Sequence, residues 1–137
     1  MKIIKSNELE KALSLNYRQY LTGHLQKPQP YLQNFDDDIE IGISYYHEFT
    51  ADTPHMHPVC TEHCYVLEGS VKIRLLDESQ QEVELNKGDF FLLRPGIPYA
   101  SKNSQNTRVL FIKSPSMNDK TNVPISEELQ KWLSSWD

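Results

Sequence analysis

His55-Met56-His57-Pro58-Val59-Cys60-Thr61-Glu62-His63-Cys64-Tyr65-Val66-Leu67-Glu68-Gly69 is the stretch from which the rest of the chain is read. Side chains alternate along an extended strand, so His55 and His57, one residue apart, project to one side. Glu62 opens a second strand-like run that Gly69 ends. A turn between His57 and Glu62 folds the carboxylate back towards the imidazoles. Two neutral nitrogens and one oxygen are then gathered, the ligand mix of many Zn, Fe, Ni and Mn sites.

The remaining chain supplies short strands around this stretch. Ile39 to Phe49 alternates, with Ile39, Ile41, Ile43, Tyr45, His47 and Phe49 on one parity. That pattern predicts a strand whose apolar side, His47 included, faces the interior. Val71 to Leu76, Val83 to Leu85, Phe90 to Leu93, Tyr99 to Ser101 and Arg108 to Lys113 follow as strands, with Phe90 to Leu93 read as buried. Asn86-Lys87-Gly88-Asp89 and Pro95-Gly96 serve as turns. Helices are expected at both ends: Asn7 to Leu13, with Asn7 as N-cap, and a final helix capped by Ser126 that carries Leu129, Trp132, Leu133 and Trp136 on one stripe. Between them, Tyr17 to Gln33, with Pro28 and Pro30, reads as an arm, Asp36-Asp37-Asp38 as a solvated turn, and Ser114 to Pro124 as a polar loop over the surface or the barrel mouth.

The His-x-His-x4-Glu-x6-Gly pattern resembles the first motif of the cupins, matching at His55, His57, Glu62 and Gly69. Gly88-Asp89-Phe90-Phe91-Leu92-Leu93-Arg94-Pro95-Gly96-Ile97-Pro98-Tyr99 resembles their second motif. Arg94 stands where the family has a proline, and Tyr99 stands where it has a fourth metal-binding histidine. The resemblance spans about Ile39 to Lys113. It implies an all-β double-stranded β-helix, a jelly-roll barrel over 36–113, with a helix and arm over 1–35 and a loop and helix over 114–137, one domain overall. It also implies a divalent transition metal (Fe, Ni, Zn or Mn) held by His55, His57 and Glu62, with Tyr99 as phenolate ligand or as a neighbour holding bound water or substrate.

Three protein ligands with open positions describe a catalytic site rather than a closed structural one. The expected activity is isomerisation, epimerisation or lyase chemistry on a sugar or sugar acid, with His47 and Tyr99 moving protons. The alternatives are a non-catalytic small-molecule-binding cupin, a metal-free sugar-nucleotide isomerase or epimerase using Tyr99 as acid, and an Fe(II) dioxygenase. One barrel supports all of them, so the fold does not choose.

Composition narrows the partners. A chain of 137 residues is one domain by size, and a net charge of −5 gives no basic face for nucleic acid or anionic membrane. No apolar run approaches the roughly 20 residues a membrane helix needs. The N-terminus lacks a signal-like run, which reads as cytoplasmic. Cys60 and Cys64 are expected as reduced thiols, the other reading being a thiolate ligand or redox sensor at Cys60. The arm, the Ile39 to Phe49 strand as a β edge, and the Trp132/Trp136 stripe point to a homodimer.

Overall fold

A computed structural model describes residues 1–137. Eleven strands form two antiparallel sheets that face each other as a barrel. The first sheet runs β1 (Arg18–Thr22), β2 (Glu40–Tyr46), β10 (Thr107–Ser114), β5 (Thr61–Glu68), β8 (Phe90–Leu93). The second runs β11 (Thr121–Asn122), β4 (His55–Met56), β9 (Tyr99–Asn103), β6 (Ser70–Leu75), β7 (Glu82–Asn86), with β3 (Thr50–Ala51) also paired to β9. Two helices, α1 (Ser6–Leu15) and α2 (Glu127–Leu133), flank the barrel. The double-stranded β-helix expected from the sequence is the fold observed.

The interior is apolar at one end and polar at the other. Cys64, Val66, Val71, Ile73, Leu93, Tyr99, Val109 and Phe111 form one buried cluster, contributed by alternate residues of β5, β6, β8, β9 and β10. Gly42 lets the Phe111 ring lie against β2, since a Cβ there would collide with that ring and with the Gln19 carbonyl. At Gly69 a positive φ of 76° makes the turn from β5 to β6, where a side chain would strike Thr107.

The parity of β2 is the reverse of the expected one. Glu40, Gly42, Ser44 and Tyr46 are buried, while Ile41, Ile43 and Tyr45 are only partly covered. Apolar-inward alternation fails here because this part of the barrel encloses a polar cavity rather than a close-packed core. β2 ends at Tyr46, so His47 lies beyond the strand. It is exposed, stacks on Tyr45 with ring centroids 4.0 Å apart and contacts the Leu13 carbonyl at 3.2 Å.

β2 is also not an edge. It sits between β1 and β10, because the arm contributes β1, registered Arg18 to Ser44 and Gln19 to Ile43. The tryptophan stripe is likewise used within the chain. Ser126 caps α2 by accepting from the Leu129 N–H at 3.1 Å, and Leu129 and Leu133 pack on Ala100 of β9. Lys102, 1% exposed, donates to the Trp132 and Ser135 carbonyls at 2.8 and 2.7 Å. These bonds serve carbonyls at a helix end that would otherwise lack donors. Two of the three features that suggested self-association are therefore satisfied inside one chain.

Three local expectations change. α1 begins at Ser6 with Lys5, not Asn7, as its cap, because Glu8 lies three residues on and accepts the Lys5 N–H at 2.9 Å. β8 is an edge strand open on its outer face, so Phe90 is exposed and only Leu93 is fully buried. The 114–124 loop is partly ordered as β11, which pairs with β4. No helix is long and apolar enough to cross a membrane.

Candidate metal and ligand site

The His-Glu stretch and the second motif meet on the barrel interior. β4 pairs with β9 so that His55 stands opposite Tyr99. Glu62 comes in from β5, across from Leu93 of β8. His55 and His57 are both buried and face one cavity, their rings nearly perpendicular with centroids 5.1 Å apart. The turn that returns the chain from His57 to Glu62 is pinned at two points. The Gly96 N–H donates to the His57 carbonyl at 2.8 Å, and the Asp119 carboxylate accepts from the Val59 and Cys60 N–H groups at 3.0 and 2.8 Å.

Second partners fix the tautomer of each imidazole. His55 Nδ1 lies 2.6 Å from the Thr53 carbonyl, and His57 Nδ1 lies 2.6 Å from Asp119 Oδ1. A carbonyl and a carboxylate only accept, so both rings donate from Nδ1, and the neutral rings present a bare lone pair at Nε2. Burial lowers the pKa of His55 against the opposing effect of Thr53, which favours its neutral form. Asp119 is held well below the usual carboxylate range. Its burial works against the charge, but hydrogen bonds from the Cys60 N–H, the His57 ring and the Val59 N–H outweigh that.

The lone pairs converge. His57 Nε2 is 3.6 Å from Glu62 Oε2. The Tyr99 hydroxyl lies 2.9 Å from His55 Nε2 and 2.8 Å from Glu62 Oε2. Burial, with Glu62 adding to it, pushes the Tyr99 pKa well above its ordinary value, so the phenol keeps its single proton. One proton faces two acceptors at Tyr99, and a neutral His57 places no proton between its Nε2 and Glu62. The cluster is short of positive charge.

A divalent cation would supply what is missing. Nitrogen and oxygen donors that share an ion at about 2.1 Å stand about 3.0 to 3.4 Å apart in octahedral or tetrahedral arrangements. Contacts of 2.8, 2.9 and 3.6 Å lie within a few tenths of an ångström of that spacing. No three His, Cys, Asp or Glu side chains by themselves surround one point at metal-holding distances. The Tyr99 oxygen joins His55 to the other two. In its donor chemistry this set of four fits a divalent transition ion.

The cavity beyond the cluster is about 210 Å³. Arg18, Lys113 and Lys120 line it together with Glu40, Asp52 and Glu62. Lys113 pairs with Glu40 at 3.4 Å, and Asp52 accepts from Ser101 at 3.1 Å. Of the residues expected at the site, His55, His57, Glu62 and Tyr99 are brought together and His47 is not. Cys60 is fully buried outside the cavity, its thiol directed at the Pro115 carbonyl at 3.3 Å, so it is no ligand of the cluster. Sequence reasoning missed Asp119, Arg18 and Asp52. Lys113 carried a readable signal, since it shares the inward parity of Val109 and Phe111 on β10.

Comparison with known proteins agrees with this architecture. Residues 46–113 match the sequence profile of the Cupin domain. A conserved protein with a double-stranded beta-helix domain from Klebsiella pneumoniae is similar at a TM-score of 0.56 and 17% identity, over 64% of this chain and 76% of that one. BH2720 of Bacillus halodurans is similar at a TM-score of 0.60 and 14% identity, over 85% and 83%. Oxalate decarboxylase of Bacillus subtilis, which has Mn(II) centres, is similar at 0.54 and 16% identity, over 64% of this chain and 24% of that one. No curated protein matches the chain.

Proposed function

The chain belongs to the cupin superfamily, and we propose that it is a metal-dependent member acting on a polar small molecule, with His55, His57 and Glu62 holding one divalent transition ion and Tyr99 beside them. The observation that carries this reading is the convergence of acceptor atoms with too few protons between them: both imidazoles are locked as Nδ1 donors, and their Nε2 atoms face the Glu62 and Tyr99 oxygens.

Bound there, the ion supplies Lewis acidity that polarises a carbonyl or hydroxyl oxygen. The chain's own residues do the rest. Thr53 and Asp119 engage the two Nδ1 atoms and so aim each Nε2 into the cavity. Asp119 also holds the turn that brings Glu62 back to them. The Tyr99 hydroxyl, kept protonated by its burial, is positioned to give a proton to an oxygen developing negative charge, and the Glu62 carboxylate at 2.8 Å is positioned to take the proton the substrate gives up and pass it back to Tyr99. That division of roles suits isomerisation, epimerisation or lyase chemistry of a hydroxylated substrate. A cavity of about 210 Å³ is small for a nucleotide-linked sugar and favours a compact substrate.

The test is metal stoichiometry. Protein made without a metal-chelating tag, loaded separately with Mn, Fe, Ni and Zn and desalted, should retain close to one ion per chain, and His57→Ala should retain almost none. Retention of no ion by the wild type, or equal retention by the variant, would remove the reading.

A further inference from the structure

Arg18 is a mostly buried charged group of the cavity wall that no ion pair satisfies. It reaches the interior from β1, a strand supplied by the arm, and its side chain is mostly buried. Nε donates to Ser44 Oγ at 3.0 Å and Nη2 to the Tyr46 hydroxyl at 3.1 Å. Both partners are neutral. None of the ion pairs in the protein includes Arg18, whereas Lys113, on the same wall, has Glu40. Burial works against the guanidinium, yet the Tyr46 hydroxyl and the Asp52 charge keep it ionised.

The hydrogen bonds already made decide what remains. A guanidinium has five N–H groups. With Nε and one N–H of Nη2 engaged, both N–H groups of Nη1 and the second of Nη2 are free. Together these free N–H groups can hold oxygens of one planar anion. Tyr17 and Phe111 flank the guanidinium, their ring centroids 5.2 and 5.6 Å from its central carbon, and so limit its movement. At about 210 Å³ the cavity suits a compact ligand.

From this geometry we infer that the ligand is a compact carboxylate, a short hydroxy or keto acid, whose carboxyl group docks against Arg18 while its oxygen-bearing carbon reaches towards the His55, His57, Glu62 and Tyr99 cluster. The inference names the ligand class for the site described above and rests on that reading only for the second half. Arg18 is a binding residue, and its role does not require the ion. Lys120, exposed on the 114–124 loop and lining the same cavity, adds a second cation without an ion-pair partner at the entrance.

The experiment is calorimetric titration of the full chain with glycerate, malonate, glycerol and inorganic phosphate, each in metal-free and metal-loaded protein. Glycerate or malonate should bind and glycerol should not, in both preparations. Arg18→Gln should weaken the carboxylate at least tenfold, and Arg18→Lys, which keeps the charge but not the guanidinium N–H groups, should weaken it by a smaller factor. Retained metal stoichiometry in both variants shows that they have folded. Should Arg18→Gln not fold, the Arg18→Lys loss alone decides. Equal affinity in wild type and variants, phosphate binding without carboxylate binding, or no carboxylate binding by a protein that holds its metal would overturn the inference. Carboxylate binding that depends on Arg18 in a protein that takes up no metal would uphold it while removing the metal reading.

Discussion

The Asp119 carboxylate accepts a 2.6 Å hydrogen bond from the imidazole of His57, sixty-two residues away in sequence. Its other oxygen accepts from the Val59 and Cys60 amides, so one side chain, 4% exposed, orients the His57 ring and fixes the turn behind it. Asp119→Ala should therefore weaken divalent-ion binding by about 10- to 100-fold and cost about 1–3 kcal/mol of stability. Calorimetric metal titration and urea unfolding measure the two effects separately, and a variant unchanged in both would contradict the assignment.

The same residue gives a signed pH dependence. Its folded pKa is depressed, so its stabilising contribution is fully present above the unfolded value of about 3.9 and is lost as pH falls below that value. The stability gap between wild type and Asp119→Asn should be constant from pH 7 to about pH 5 and shrink below about pH 4. A gap that widens on acidification would show the sign to be wrong.

Tyr99→Phe removes the hydroxyl that joins His55 to Glu62 and leaves two acceptors facing each other in a buried site. The metal-free variant should lose about 1–3 kcal/mol in urea unfolding. Metal affinity should fall less than for His57→Ala, and Tyr99→His should bind more tightly than wild type, read by competition with a coloured chelator.

Cys60 and Cys64 are buried, and burial raises both thiol pKa values, that of Cys60 to about 12 with Asp119 adding to the effect. Neither should react with a disulfide reagent at pH 8 in the native protein, and both should react in urea. Rapid native labelling of Cys60 would revive the thiolate reading set aside above.

Gly42→Ala brings a Cβ against the Phe111 ring and the Gln19 carbonyl oxygen. Overpacking of this kind should cost about 1–3 kcal/mol. Adding Phe111→Leu should recover the part due to the ring and not the part due to the carbonyl, which belongs to the backbone of β1. Full recovery in the double variant would show that the backbone contact is not limiting.

The barrel was legible in the sequence where local pattern and turn chemistry agree, as at Gly69 and Gly88, whose φ values are positive, and at the alternation of Val71 and Ile73. The candidate site was legible because His55, His57 and Glu62 are close in sequence, so a single turn brings them together. Two kinds of information were not. Parity on β2 was misread because periodicity reports which faces differ and not which one is inside. A polar cavity reverses the usual assignment, and His47 lies past the end of the strand, on the exposed side. Asp119 and Arg18 carried no local signal at all. Each lies in a segment without clear periodicity, and each reaches the site through pairing that only the folded chain creates, β11 on β4 for one and β1 on β2 for the other.

That pairing divides the cavity between two parts of the chain. His55, His57, Glu62 and Tyr99 all fall within residues 46–113, the span that matches the shared domain profile. Arg18 falls outside it, on an edge strand whose only sheet neighbour is β2. The two ends of the cavity are thus modular. The cluster end is tied to the strands that match the shared profile, whereas the Arg18 end is carried on an edge strand outside it. If Arg18 holds the ligand as proposed, an engineer who wants a new ligand in this scaffold should begin with Arg18 and its neighbours on β1, not with the histidines.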